Sequence, residues 1–511
     1  MPHRGLIAVL ASLLTGCVSL PSLEGRTETS ALTGTDGTRL GRALVPRAAA
    51  HPGETGIYPL TEARDAFAAR VLLAGAADRS LDIQYYIWHG DQTGYLLLEA
   101  LWAAAERGVR VRLLLDDAGT SGLDDTIATL DAHPNVEVRL YNPFAVRGAR
   151  GVNFLSDFAR LNRRMHNKSF TADNQATIVG GRNVGNEYFA AGSGVWFRDL
   201  DVIAVGPVVR DVSKAFDLYW NSVSAYPAAA LLGAPAPDGA AALAARFAAT
   251  RADPVSASYI EALRVTPLAR QLPAGELEFE WAKARLLHDD PAKTLDTTGR
   301  TDILLLSSML DLLGQPERSF DLISPYFVPG DEGTKALVAL SRRGVRFRLL
   351  TNSFAATDVS AVHAGYAKRR ADLLGAGAVL YELKPSASAG EQEQERAHTG
   401  SSGASLHAKT FAVDGRRVFV GSFNFDERSA KLNTEMGLLI DSPKLAAQLV
   451  QAFDTGIPAG AYQVLLTADG DLEWIERTPS GEKRYTTEPG TGIVRRAWIG
   501  FLSLLPIDWL L

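Results

Sequence analysis

Two stretches decide how this chain is read. The first is His166-Asn167-Lys168-Ser169-Phe170-Thr171-Ala172-Asp173, followed by Gly180-Gly181-Arg182-Asn183. The second is His407-Ala408-Lys409-Thr410-Phe411-Ala412-Val413-Asp414, followed by Gly421-Ser422-Phe423-Asn424. Both fit H-x-K-x4-D-x6-G-[GS]-x-N without a gap. Each reads as a β-hairpin, with Asp173-Asn174 or Asp414-Gly415 at the turn between strand-like runs. Side chains alternate across a strand, so His166 and Lys168 share one face, as do His407 and Lys409. The glycines admit close backbone approach, and Asn183 and Asn424 supply amide donors.

Two histidines, two lysines and two asparagines suit attack on a phosphodiester through a covalent intermediate. Lysine and asparagine donors can hold the non-bridging oxygens, where charge develops in the transition state. One neutral histidine can attack phosphorus while the other, protonated, serves the departing alcohol. Imidazole titrates near working pH, which fits both tasks. Asp173 and Asp414 fall at the turns, where aspartate is favoured for backbone reasons, and are expected to be structural. Asp199 and Glu435, each just before an apolar strand-like run, are the candidate carboxylate partners of the histidines. A lysine beside each histidine argues against a metal, and no His/Cys cluster has ligand spacing.

The repeat is wider than the motifs. Leu81 to Asp91 parallels Phe320 to Asp331, and each is followed by a helical run that ends at a glycine, Gly108 or Gly344. The strands Val109 to Leu115 and Val345 to Leu350 then complete βαβ units. The expected fold is α/β: two tandem halves about a pseudo-twofold axis, sharing one active site where they meet. The divisions expected are a leader at 1–17, a flexible tether at 18–55, a first domain at 56–250, an inter-domain segment at 251–300, a second domain at 301–460 and a C-terminal segment at 461–511. Pro227 to Ala249 reads as linker plus helix. Trp281 to Lys293 is placed near the site without assigned chemistry, and Ser386 to Ser405 reads as a flap.

The duplicated motif resembles that of the phospholipase D superfamily. From about Tyr58 onward the chain looks like the bacterial cardiolipin synthase C type, through Leu81 to Trp88, Asn162 to Phe170, Trp281 to Leu287, Val362 to Tyr366 and Leu504 to Leu511. The resemblance implies two phospholipase D-like domains and a phosphohistidine intermediate, with His166 as nucleophile and His407 as acid/base. It implies transfer of a phosphatidyl group, from phosphatidylethanolamine or phosphatidylglycerol, to phosphatidylglycerol. No metal or cofactor is implied, and no accessory protein is specified. Hydrolysis to phosphatidic acid is the alternative within the same chemistry. Single-motif relatives cut DNA, but a net charge of -6 over 511 residues gives no nucleic-acid footprint.

The single cysteine, Cys17, follows Arg4 and an apolar run from Leu6 to Leu14. That pattern resembles a lipoprotein signal with lipid on Cys17, which would tie the protein to a membrane of the bacterial cell envelope. At the other end, Arg495 to Leu511 combines arginines, tryptophans and apolar bulk. It suits either a membrane-interface segment or a helix packed on the protein's own core.

Overall fold

The computed structural model describes residues 19–191, 196–274, 276–385 and 404–503. The leader with Cys17, most of the Ser386–Ser405 loop and residues 504–511 lie outside the described residues.

Each half is built on three parallel strands. In the first half these are Ser80–Ile87, Arg110–Gly119 and Val136–Tyr141; in the second they are Ser319–Ile323, Arg346–Asn352 and Val379–Leu383. Their Val, Leu and Ile runs are almost wholly buried, as expected of parallel strands covered on both faces. Helix Gln92–Glu106 follows the first strand, with Asp91 Oδ1 accepting from Gly94 N at its start. It ends just before Gly108, whose φ of 88° only glycine adopts without strain. Helix Gly330–Arg342 stops before Gly344 in the same way.

The motif hairpins complete each sheet. Ser169–Ala172 lies antiparallel to Ser80–Ile87 and turns back into Ala176–Gly180; Lys409–Val413 lies antiparallel to Ser319–Ile323 and turns back into Arg417–Gly421. Strands Asp201–Val205 and Met436–Asp441 follow on the outer side. The halves then join. Thr55–Leu60 pairs with both Asp201–Val205 and the start of Glu280–His288, while the rest of Glu280–His288 pairs with Met436–Asp441. The sheet is therefore continuous through the seam, where Ile57, Val179, Val202, Val420, Leu438 and Ile440 form a shared core.

One segment departs from expectation and another extends it. Part of 18–55 is docked rather than a free tether. Arg26 donates to the carbonyls of Asn221, Ser222 and Ala225, just past the end of helix Pro207–Trp220. Asn221 is the C-cap residue of that helix, and the other two carbonyls belong to the stretch that follows it. Thr38 then caps helix Arg39–Ala49, which buries Leu40 and Leu44. The stretch between the halves is also folded. Helices Gly239–Ala252 and Pro254–Arg264 bring Leu243, Phe247, Tyr259 and Leu263 into the first half's core.

Candidate active site

His166 and His407 each lie just before a motif strand, beyond the carboxyl end of the first parallel strand of their half; Gln84 is paired with Ser169, and Ile323 with Thr410. Both histidines are buried, with their side chains 9% exposed. What brings them together is a pair of short parallel contacts between the halves. Ala404–Leu406 runs beside Trp196–Arg198, and the His407 and Ala408 amides donate to Arg198 O at 2.8 and 3.0 Å. In the mirror position Met165 bridges to Thr434, and the His166 amide donates to Thr434 O at 2.8 Å.

These contacts cross the carboxylates over. Asp199, in the first half, stands 2.6 Å from Nδ1 of His407 in the second. Glu435, in the second half, stands 2.8 and 3.1 Å from Nδ1 of His166 in the first. Each histidine thus has its Nδ1 held by a carboxylate of the other half, and neither half holds a complete His–carboxylate pair. Lys168 Nζ donates to His166 O at 2.6 Å, and Lys409 Nζ donates to His407 O. One of three ammonium hydrogens is used in each case. Tyr86 stands edge-on to His166, and Tyr188 and Phe197 pack against His407.

The two carboxylates differ in environment. Burial opposes the charge of Asp199, but His407, then Lys409 and Arg182, overcome it and hold the carboxyl well below its ordinary range. Gly181 makes the room: a Cβ there would lie 2.2 Å from Asp199 Oδ1. Arg182 donates to the Asp199 carbonyl at 2.6 Å. Glu435 is pushed up to about 7 by burial, against the pull of Lys168 and Ser422, whose hydroxyl donates to Glu435 Oε2. Burial lowers both histidines, with the lysines adding to the effect. His166 is driven well below its usual value, whereas Asp199 partly restores His407. Burial also lowers Lys168, and brings Lys409 to about 8. An anion between the two lysines would offset that penalty.

The remaining expected residues fall into place unevenly. Asp173 accepts from the amides of Asp78, Arg79 and Ser80, and Asp414 from those of Glu317, Arg318 and Ser319. Both turn aspartates therefore hold backbone at the far end of their hairpins. Asn183 accepts from Ile87 N at 3.2 Å and donates to the Tyr188 hydroxyl at 3.0 Å, so its amide is committed within the first half. Asn424 is buried, with its Oδ1 lacking a hydrogen-bond partner. The Trp281–Lys293 stretch contributes Asp289, which accepts from the Glu435 amide at 2.7 Å and from Lys293 at 3.0 Å. Residue-by-residue reading missed Ser422, Tyr86, Tyr188 and Phe197 as site residues. The serine-for-glycine difference between the two motif tails was the available signal. Among the described residues His89, Asp91 and Glu187 bring ligand-type atoms within 4.8 Å. Asp91 caps a helix and accepts from Asn186 N, while His89 and Glu187 pair with each other at 3.1 Å.

A family model described as cardiolipin synthase, PLD-like domain, matches residues 72–220 and again 309–456, one copy in each half. Cardiolipin synthase C of Escherichia coli (strain K12) is 47% identical over 476 residues, covering 93% of this chain and all of the relative. The major cardiolipin synthase of Bacillus subtilis (strain 168) is 25% identical over 402 residues, 78% of this chain and 68% of the relative. Among solved structures, phosphatidylserine synthase of Haemophilus influenzae Rd KW20 superposes with a TM-score of 0.57 at 14% identity, covering 91% of this chain and 99% of that one. That likeness shows a common fold. With both family copies placed on the two halves that build one site, the chain belongs to the PLD-like cardiolipin synthase family, whose members are phosphatidyltransferases of the phospholipase D superfamily.

Proposed function

We propose that the protein makes cardiolipin by moving a phosphatidyl group from phosphatidylethanolamine or phosphatidylglycerol to a hydroxyl of a second phosphatidylglycerol. The observation that carries the chemistry is the crossed pairing, in which a carboxylate of each half holds Nδ1 of the other half's histidine. His166 attacks phosphorus through Nε2. The bond from phosphorus to the head-group oxygen breaks, and that oxygen takes its proton from Nε2 of His407. The acceptor hydroxyl then gives its proton to His407 as its oxygen attacks phosphorus, and the P–N bond to His166 breaks. Lys168 and Lys409 hold the non-bridging oxygens throughout, with Asn424 as a further donor.

The division of labour follows from the carboxylates. Asp199 stays ionised and favours a charged His407, as an acid requires. Burial raises Glu435 to about 7, so its carboxyl gives up its proton near neutrality. With that proton present, Glu435 can donate to Nδ1 and place the ring hydrogen on Nε2, which blocks attack. With it gone, His166 donates from Nδ1 and its Nε2 carries a lone pair.

Lipid on Cys17 would hold the enzyme at a membrane of the cell envelope, where both substrates reside. Among the described residues no helix is long and apolar enough to cross a membrane.

The test is purified protein with vesicles of phosphatidylethanolamine and phosphatidylglycerol, products read by mass spectrometry. Cardiolipin with release of ethanolamine or glycerol is expected. Phosphatidic acid as the sole product overturns the transferase reading in favour of hydrolysis.

A further inference from the structure

Two apolar patches stand out on this surface. In the first half, Val152, Phe154, Leu155 and Phe158 are exposed on the segment between strand Val136–Tyr141 and His166, with Leu155 88% exposed. In the second, helix Ile493–Ser503 packs Ile499 and Leu502 against Phe354 and Ala364. Its other side leaves Ile493, Val494, Trp498 and Phe501 in the open. The packed reading of this C-terminal stretch therefore holds for one face of the helix, and the other face is exposed.

The patches share an edge with the histidines. The 150–161 segment leaves the carboxyl end of its parallel strand, and Asn142 ties it down by donating to Arg160 O and Arg163 O. Phe154 contacts Phe144, whose ring carries the Arg164 guanidinium at 5.5 Å, two residues from His166. On the other side Arg495 lies 4.6 Å over Phe354, beyond the carboxyl end of Arg346–Asn352. Asp358, in the same loop, accepts from the Tyr326 hydroxyl at 2.7 Å and acts on the charge of Lys409. One patch thus flanks each histidine.

We propose that these two patches form a single bilayer-docking face that seats the mouth of the site on the lipid surface, a proposal that rests on the phospholipid-transfer reading. Three observations select a bilayer as the occupant. Paired exposed patches of this kind mark an interaction surface, and aromatic rings with arginines suit a lipid interface. Helix Ile493–Ser503 carries Arg495 and Arg496 and no acidic residue, which complements anionic lipid. A bilayer also holds the phosphatidyl donor and acceptor of the proposed reaction, which a protein partner would not supply.

The chain has one cysteine, so a probe can be placed alone in the full-length Cys17→Ser protein. Leu155→Cys and Val494→Cys, each carrying an environment-sensitive fluorophore, are compared with Leu310→Cys. Leu310 is 59% exposed on helix Leu305–Leu313, which leads toward the opposite, amino edge of the strands. With vesicles of phosphatidylethanolamine and phosphatidylglycerol, the probes at 155 and 494 should shift to the blue. They should lose several-fold in iodide quenching, while the probe at 310 does not change. A probe at 155 that stays as accessible as the one at 310 overturns the proposal. So does protection that grows with protein concentration in the absence of vesicles, which would make the face a contact between copies. Shielding at both positions in a protein that forms no cardiolipin would leave the docking face standing and remove the transferase reading.

Discussion

The two histidines sit in matching frames and in unlike company. The frame is repeated down to hydrogen bonds: each lysine donates to the preceding histidine's carbonyl, and each turn aspartate gathers three amides. The difference lies in the two positions after the first motif glycine. Gly181-Arg182 gives Asp199 space and a neighbouring cation; Ser422-Phe423 gives Glu435 a hydroxyl and an apolar ring. Because the carboxylates cross over, the tail of each motif tunes the histidine of the other. A duplicated chain can in this way divide one chemical role into two by changing a few residues in each copy, without disturbing either strand pairing.

The hardest test of that division is removal of each histidine. His166→Ala and His407→Ala should each lower turnover by at least about ten-thousand-fold while melting like the wild type. The variants should then part company. On a phosphodiester with a good leaving group, which needs no proton, His407→Ala should accumulate a phosphorylated protein at His166. His166→Ala should accumulate none. A phosphorylated His407 would reverse the roles.

Next in size are the partners. Asp199→Asn should cost about a thousand-fold in kcat, within the range for misplaced acid–base catalysis. Asp199 raises His407, so its loss should lower the pH at which the His407 ionisation appears in the pH-rate profile. Gly181→Ser, which copies the second motif into the first, places a Cβ 2.2 Å from Asp199 Oδ1 and should be nearly as damaging. The reciprocal Ser422→Gly only withdraws a hydroxyl and should cost roughly tenfold. Ser422 holds Glu435 down, so the Glu435 ionisation in the pH-rate profile should move to higher pH in that variant. Equal losses in the two exchanges would mean that the tails do not tune the site differently.

Much of this was legible in the residues. The turn pairs Asp173-Asn174 and Asp414-Gly415 specify left-handed backbone, and all four residues have φ between 52° and 64°. The βαβ periodicity and the terminating glycines likewise placed the parallel strands. The crossing of Asp199 to His407 could not be read. It depends on Trp196–Arg198 lying beside Ala404–Leu406, a pairing of residues about 200 positions apart that no local pattern encodes. The docking of Arg26 was hidden for the same reason. An arginine in a Gly/Thr-rich stretch carries no sign of the helix end it meets. Asp289 was quoted in a segment of interest, but only the fold shows it fixing the Glu435 backbone.

The smallest expected effect concerns stability, and it separates the two carboxylates in the absence of substrate. Glu435 ionises near 7 in the folded protein against an ordinary value of 4.5, because burial penalises its charge. Between those values the folded state holds a proton that the unfolded state has released, so stability falls as pH rises through the window. Glu435→Gln removes that loss. Its melting temperature relative to the wild type should climb from pH 4.5 to pH 7 and level off above. Asp199 has the opposite sign, since its folded carboxyl ionises more readily than the ordinary 3.8. Its contribution is present above that value and lost as pH falls through the depressed one, so Asp199→Asn should be destabilising at neutral pH and less so in acid. Parallel melting curves for the two variants would show that the carboxylates are held alike, and the distinction between the halves would then rest on kinetics alone.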